Sequence, residues 1–303
     1  MKIIIVGAGA MGSVFGGRLA KAGHDVIFVD VWQEHIDVIN REGLTLTLPE
    51  GSYIARCQAV HSADFNGSVD FAILFTKTYQ NLVALAAIAD GFHEHTHILT
   101  LQNGLGNIED IAKWIIPEQI IIGTTTVPAV LTGPGKVSSH GFGETLLMTA
   151  SYTRTDFLDK LLFLFNKASI PCQIDQEIEA RIWEKVAFNA ALNTLCSVVQ
   201  SPISVLADSE HGPILARQIV EEVLSIACAK GIPVNSNTVY DNVQMAMNEH
   251  REHKPSMLQD LLAGRPTEID SINGTVISCA HQMDISIPVT ETFLRVIKLL
   301  ESK

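Results

Sequence analysis

Short runs of β-branched and aliphatic residues alternate with amphipathic stretches over the first part of the chain. Apolar runs at residues 3–6, 26–30, 71–75, 98–101 and 120–122 are separated by segments with helical spacing. This alternation predicts a parallel, doubly wound α/β sheet of the Rossmann type. Between the second and third runs, residues 44–48 and 53–56 flank Pro49-Glu50-Gly51-Ser52, whose turn chemistry predicts a short hairpin inserted in that pattern. Strand-like residues 136–139 and 144–149 follow Gly133-Pro134-Gly135, and then come an amphipathic helix at 156–167 and a closing strand at 172–174. From about residue 176 the period becomes helical throughout, with helices expected at 178–199, 209–230, 236–250, 256–263, 267–283 and 289–301. The expected organisation is a sheet domain over 1–175 and an all-helical domain over 176–303.

Gly7-Ala8-Gly9-Ala10-Met11-Gly12 follows the first apolar run directly and opens a helical stretch. In that setting a GxGxxG pattern suits a dinucleotide pyrophosphate. The first glycine permits the turn, the second lets phosphate approach the backbone, and the third lets helix and strand pack closely. Asp30 ends the second run at the distance where an acid accepts hydrogen bonds from an adenosine ribose and repels a 2′-phosphate; capping of the next helix is its alternative use. Val31-Trp32-Gln33 supplies no arginine for that phosphate, so the sequence leans toward NADH.

In the long helix at 178–199, Lys185, Asn189 and Asn193 fall at i, i+4 and i+8 on one face of an otherwise apolar segment. No carboxylate lies three or four residues from Lys185 to hold it as a surface lysine, although a solvated lysine is the commoner case. Beside a bound nicotinamide, such an amine could stabilise the charge that hydride addition places on a ketone oxygen, and supply the proton.

The chain has 303 residues, 47% hydrophobic, with a formal charge of −12 from 33 acidic and 21 basic side chains. That excess opposes nucleic acid and anionic membrane surfaces as partners. No apolar run has the length of a signal peptide core or of the roughly 18 residues a spanning helix needs, so a cytoplasmic, soluble protein is expected. Five cysteines without close pairing argue for reduced thiols and against a zinc site. His93, His95 and His97 alternate as metal ligands can, but they fall in an expected surface loop, and no metal is expected. Trp32 and Trp183 could line a pocket, packing being the commoner use.

Several separated motifs resemble the ketopantoate reductase family (2-dehydropantoate 2-reductases) across essentially the whole chain. They are Gly7 to Gly12, Thr76-Lys77, Leu101-Gln102-Asn103-Gly104, Gly123-Thr124-Thr125-Thr126, the helix from Trp183 through Lys185 to Asn189, Ser256 to Asp260, and Thr267-Glu268-Ile269-Asp270 with Ile272-Asn273-Gly274. The resemblance implies reduction of a small 2-keto acid by NAD(P)H, NADPH being the family default, in a cleft between the two domains. It implies Lys185 as proton donor and Asn189, Asn193 and Ser256 as substrate contacts. Glu268 would lie near substrate and nicotinamide ribose, Lys77 and Ala129 on the cofactor side, and Asn103 beside both cofactor and the catalytic lysine. A homodimer is the candidate assembly. From the residues alone, Glu268 and Asp270 equally suit the first turn of a helix, Asn103-Gly104 a plain turn, and Ser256 a capping hydroxyl. The chain departs from the family pattern at Asp30-Val31-Trp32 and at Thr194-Leu195-Cys196-Ser197 with Ser201-Pro202-Ile203. Both departures fit the family's NAD-dependent D-2-hydroxyacid dehydrogenases, the second reading. A dinucleotide-binding protein without chemistry is the third.

Overall fold

A computed structural model describes residues 1–141 and 143–302. The chain divides into two compact units, Met1–Gln102 with Asn107–Ile178, and Asn103–Gly106 with Glu179–Lys303. The division falls three residues beyond the expected boundary at 175, and it assigns a four-residue excursion, 103–106, to the second unit.

Among the described residues the first unit contains twelve strands, β1 (Lys2–Val6), β2 (Asp25–Asp30), β3 (Leu44–Leu48), β4 (Gly51–Ala55), β5 (Gln58–His61), β6 (Phe71–Leu74), β7 (His97–Thr100), β8 (Ile120–Thr125), β9 (Val130–Gly133), β10 (Lys136–Ser138), β11 (Thr145–Thr149) and β12 (Cys172–Ile174). Its main sheet runs β12-β11-β8-β7-β6-β1-β2-β5. Every pairing in it is parallel except β8 with β11. From β5 to β8 this is the 3-2-1-4-5-6 strand order of a dinucleotide-binding fold. The all-apolar runs explain the layering. Ile3, Ile4 and Ile5 are fully buried, as a parallel strand covered on both faces requires.

Helices α1 (Ala10–Lys21), α2 (Gln33–Glu42), α3 (Asn81–Ala86), α4 (Asn107–Ile111) and α5 (Asp156–Lys167) connect these strands. Phe15 of α1 packs its ring 5.0 Å from Phe75 and 5.8 Å from Phe165. The hairpin β3–β4 is not an isolated insertion. β3 pairs in parallel with β10, giving a second sheet ordered β4-β3-β10-β9. Two short strands, β5 and β9, stand where the apolar pattern gave none.

Among the described residues the second unit is helical throughout, with α6 (Ile178–Val199), α7 (Ile203–Ala207), α8 (Gly212–Ala229), α9 (Ser236–Glu249), α10 (Ser256–Leu262), α11 (Thr275–Gln282) and α12 (Pro288–Glu301). Ala187, Ala190 and Ala191 let α6 pack closely in the centre, beside Leu192 and Leu195. Each buried leucine contributes roughly 1.5–3 kcal/mol. Glu222 of α8 accepts hydrogen bonds from the backbone N–H groups of Val289 (2.9 Å) and Thr290 (2.7 Å), anchoring the N-terminus of α12 where negative charge is favoured. The helix expected at 267–283 is shorter. It begins with a π-helical turn, Asp270–Gly274, and continues as α11. Among the described residues, no helix is long and apolar enough to cross a membrane.

Candidate active site

The glycine loop shows what each glycine is for. Gly7 has φ +93°, and a Cβ there would lie 2.7 Å from the Thr76 nitrogen. A Cβ on Gly12 would meet the Gly7 carbonyl oxygen at 2.0 Å. Gly9, the N-cap of α1, has no atom within 4 Å of a Cβ position, so packing does not require a glycine there. The space left open at a helix N-terminus suits a phosphate, which would meet backbone N–H groups and the positive end of the helix.

Backbone groups around this loop are tied down. The Ala8 N–H donates to Asp30 Oδ2 at 2.5 Å, and Asp30 Oδ1 accepts from the N–H groups of Val31 (2.7 Å) and Trp32 (2.9 Å). Asp30 therefore shapes the loop and the turn after β2 rather than capping α2, whose N-cap is Trp32. Ser13 Oγ donates to the Ala8 carbonyl at 2.8 Å. His35, fully buried, accepts from the Gly135 N–H through Nδ1 at 2.9 Å, which leaves the proton on Nε2, 3.4 Å from Ser13 Oγ. Burial lowers the pKa of this imidazole, with Asp30 opposing the shift. Trp32 is part-exposed and stacks on the same ring at 5.0 Å. None of the Ser13–His35–Gly135 arrangement was visible in the motif pattern, because its members lie up to 122 residues apart.

Lys77, half-buried, precedes a short turn in which the Gln80 N–H donates to the Lys77 carbonyl at 2.8 Å. Ala129 is half-buried between β8 and β9. A polar network missed by sequence reading holds the strand ends nearby. Gln102 Nε2 donates to the Thr76 carbonyl (2.6 Å) and to Asn81 Oδ1 (2.7 Å), and Asn81 Nδ2 donates to Asn107 Oδ1 (2.9 Å). Gln102 and Asn107 bracket the 103–106 excursion.

In the second unit α6 places Lys185, Asn189 and Asn193 on one face, as its spacing requires. Asn189 is 9% exposed and Asn193 5%, and among the described residues neither carboxamide has a hydrogen-bond partner. Neither is among the fully buried unpaired polar atoms, so both amides keep access to solvent and are open to a ligand. Lys185 is half-buried. Burial pushes its ammonium down to about 8, and the Glu268 carboxylate opposes that shift. The carboxylate missing at three or four residues from Lys185 is thus supplied from elsewhere in the unit.

Glu268 is buried and precedes the π turn. Asp270 instead is exposed and pairs with Lys298. The Glu268 carbonyl accepts from the Ile272 N–H (3.0 Å) and Ser271 Oγ (3.1 Å). The Leu105 N–H donates to the Ser271 carbonyl at 2.8 Å, so the excursion carrying Asn103 rests on the turn that carries Glu268. Gly104 has φ +84°, and a Cβ there would lie 2.4 Å from the Ser271 oxygen, which explains the glycine. Ser256 is exposed at the start of α10, whose N-cap Pro255 makes no side-chain cap bond. Asp260, buried on α10, pairs with Arg265 at 2.8 Å and braces the loop before Glu268. Thr194 and Ser197 turn inward. Ser197 Oγ donates to the Asn193 carbonyl (2.7 Å) and Thr194 Oγ1 to Asn273 Oδ1 (3.2 Å).

The remaining polar signals have structural uses. His93 Nε2 lies 3.3 Å from Asp70 Oδ1, and His97 stacks on Phe157 at 3.6 Å. Trp183 packs in the helical core. Burial pushes the thiols of Cys172 and Cys196 up to about 12.

A 3-2-1-4-5-6 sheet with open space beside Gly9, in one chain with a helical unit bearing an amine, a carboxylate and open amides, defines a two-unit oxidoreductase. The family model "Ketopantoate reductase PanE/ApbA" matches residues 3–151, and its C-terminal counterpart matches residues 177–301. A 2-dehydropantoate 2-reductase of Streptococcus pyogenes is 32% identical over 95% of this chain and 94% of its own length. One from Pyrococcus horikoshii is 33% identical over 100% of this chain and 98% of its own. A solved structure of D-mandelate dehydrogenase with NADH and anilino(oxo)acetate superposes with a TM-score of 0.95 at 30% identity, covering 100% of this chain and 99% of that one. The chain belongs to the ketopantoate reductase family.

Proposed function

We propose that the protein reduces ketopantoate to pantoate, taking hydride from NAD(P)H and a proton from Lys185. The observation that carries this reading is the half-buried Lys185 amine, lowered to about 8 beside Glu268, on the same helix face as two asparagines whose carboxamides have no partner among the described residues and stay open to a ligand. Gly7 to Gly12, Asp30, Lys77 and Ala129 would hold the dinucleotide, with Asn103 and Glu268 toward its nicotinamide end. When bound, the reduced nicotinamide supplies a hydride to the keto carbon. Lys185 Nζ–H stabilises the charge developing on the keto oxygen and transfers its proton there, giving the alcohol. Asn189 and Asn193 provide donors and acceptors for the substrate's hydroxyl and carboxylate, and Ser256 a further donor. Glu268 keeps Lys185 protonated near neutral pH by opposing the effect of its burial.

Asp30 favours NADH. Its carboxylate has roughly four acceptor positions, and three backbone N–H groups already use it. It retains capacity for a ribose hydroxyl but would repel a 2′-phosphate. This preference, together with the 0.95 TM-score to D-mandelate dehydrogenase, supports a second reading, an NADH-linked D-2-hydroxyacid dehydrogenase acting on bulkier 2-keto acids. A steady-state matrix of NADH and NADPH against ketopantoate, phenylpyruvate, benzoylformate and branched 2-keto acids separates the readings. Ketopantoate giving the highest kcat/KM supports the first, and benzoylformate or a branched acid the second. Oxidation of neither cofactor by any of them would sink both.

A further inference from the structure

The turn that follows Glu268 hydrogen-bonds through a buried side chain to the helix that carries Lys185. Asn273 lies in the π turn Asp270–Gly274 and is fully buried. Its Oδ1 accepts from Thr194 Oγ1 at 3.2 Å, and its Nδ2 donates toward the Ala190 carbonyl at 3.5 Å. Thr194 and Ala190 each adjoin, along α6, one of the two unpartnered asparagines. The same turn receives two hydrogen bonds at the Glu268 carbonyl and one at the Ser271 carbonyl, so its position fixes Glu268 and the 103–106 excursion together.

A buried carboxamide costs free energy unless bonded, and an apolar side chain would fill the same space more cheaply. What the amide adds is register, because its two bonds are satisfied at only one setting of the turn along α6. A π turn inserts a residue into a helix and occurs disproportionately at functional sites. Here it lets Asn273 face α6 while Glu268 stays at the near end of the turn. Ile269 and Ile272 beside it are buried in the helical core, and further ties lie toward solvent, where Lys298 pairs with Asp270 and the Thr267 N–H donates to Glu301 Oε1 at 2.8 Å.

We infer that Asn273, seated by Thr194, is a positioning residue that sets Glu268 at its working distance from Lys185. The inference rests on the proposed roles of those two residues. Among the described residues, Glu268 is the charged group whose field reaches Lys185. If the turn slips, that field weakens while burial of the amine persists, and Lys185 loses its proton at lower pH.

The test is competitive acetylation of Lys185 with acetic anhydride across pH, read by mass spectrometry on the full chain without substrate, alongside steady-state kinetics. Thr194→Val is nearly isosteric and removes only the hydroxyl donor. It is expected to lower the Lys185 midpoint by about half a pH unit or more, a fraction of the roughly 1–3 units a neighbouring charge can supply. It is also expected to lower kcat by about tenfold. Thr194→Ser is expected to restore both, and Asn273→Ala to show the larger change. Should Asn273→Ala fail to fold, the Thr194 pair decides. A wild-type Lys185 midpoint in Thr194→Val, or a shift that Thr194→Ser does not restore, overturns the inference. A wild-type protein inactive on every 2-keto acid, yet showing the expected midpoint shifts, would overturn the proposed function and leave the positioning intact.

Discussion

Replacing Gly9 with alanine separates binding from stability in a way no other change in the loop can. The residue sits at φ −64° and ψ −166°, which alanine adopts freely, and a Cβ there has no protein atom within 4 Å. Alanine is a poorer N-cap than glycine, at a cost of about 0.5–1 kcal/mol. It also removes about 0.4–1 kcal/mol of unfolded-state entropy. The two nearly offset, so Gly9→Ala is expected to melt within about 2–4 °C of wild type. If a pyrophosphate occupies that space, the added methyl displaces it, and the NADH Kd is expected to rise about 10- to 100-fold, or roughly 1.4–2.8 kcal/mol. Gly12→Ala is the contrast. Its methyl would meet the Gly7 carbonyl oxygen at 2.0 Å, and it is expected to lose about 1–3 kcal/mol of stability as well as binding. Thermal melts paired with NADH fluorescence titrations read both quantities. A Gly9→Ala protein with wild-type NADH affinity would refute the placement of the phosphate, and one that fails to fold would refute the open space.

Other outcomes follow from the same geometry. Asn189→Ala and Asn193→Ala remove amides with no partner among the described residues, so melting is expected to hold while KM for the keto acid rises about tenfold or more, by thermal melts and steady-state kinetics. Lys185 is held at about 8 against an ordinary 10.5. The unfolded chain therefore binds the extra proton, and wild-type stability rises with pH between those values. Lys185→Met is expected to be more stable than wild type at pH 7, on the order of 2–3 kcal/mol by urea unfolding, with the gain fading above pH 10. Gly104→Ala combines φ +84° with a 2.4 Å approach to the Ser271 oxygen. It is expected to cost about 1–3 kcal/mol by urea unfolding and to lower kcat in steady-state kinetics.

The parts of this molecule legible in its sequence are those carried by local pattern. Wholly apolar runs gave the parallel strands, and the stretches at 156–167 and 178–199 gave α5 and α6 to the residue. The glycine loop and the Lys185, Asn189, Asn193 face were readable because a turn and a helix fix their geometry within a few residues. Long-range pairing was not. β5 and β9 are short strands at sheet edges, where one exposed side breaks the apolar run, and β3 finds its partner β10 some 90 residues later. The π turn was hidden because its residues also fit an α-helical period. The carboxylate beside Lys185, the bonding of Asp30 to Ala8 and the burial of His35 are tertiary facts that no spacing rule contains.

Lys185 is proposed as the proton donor to a 2-keto acid. Its most direct test is the pH dependence of kcat/KM for ketopantoate reduction, with NADH and with NADPH, by wild type and by Lys185→Ala. Wild type is expected to lose activity as pH rises through about 8, where the amine gives up its proton. The variant is expected to fall by about 10²- to 10⁴-fold, to lose that limb, and to keep its dinucleotide Kd. Unchanged turnover in Lys185→Ala would contradict the account.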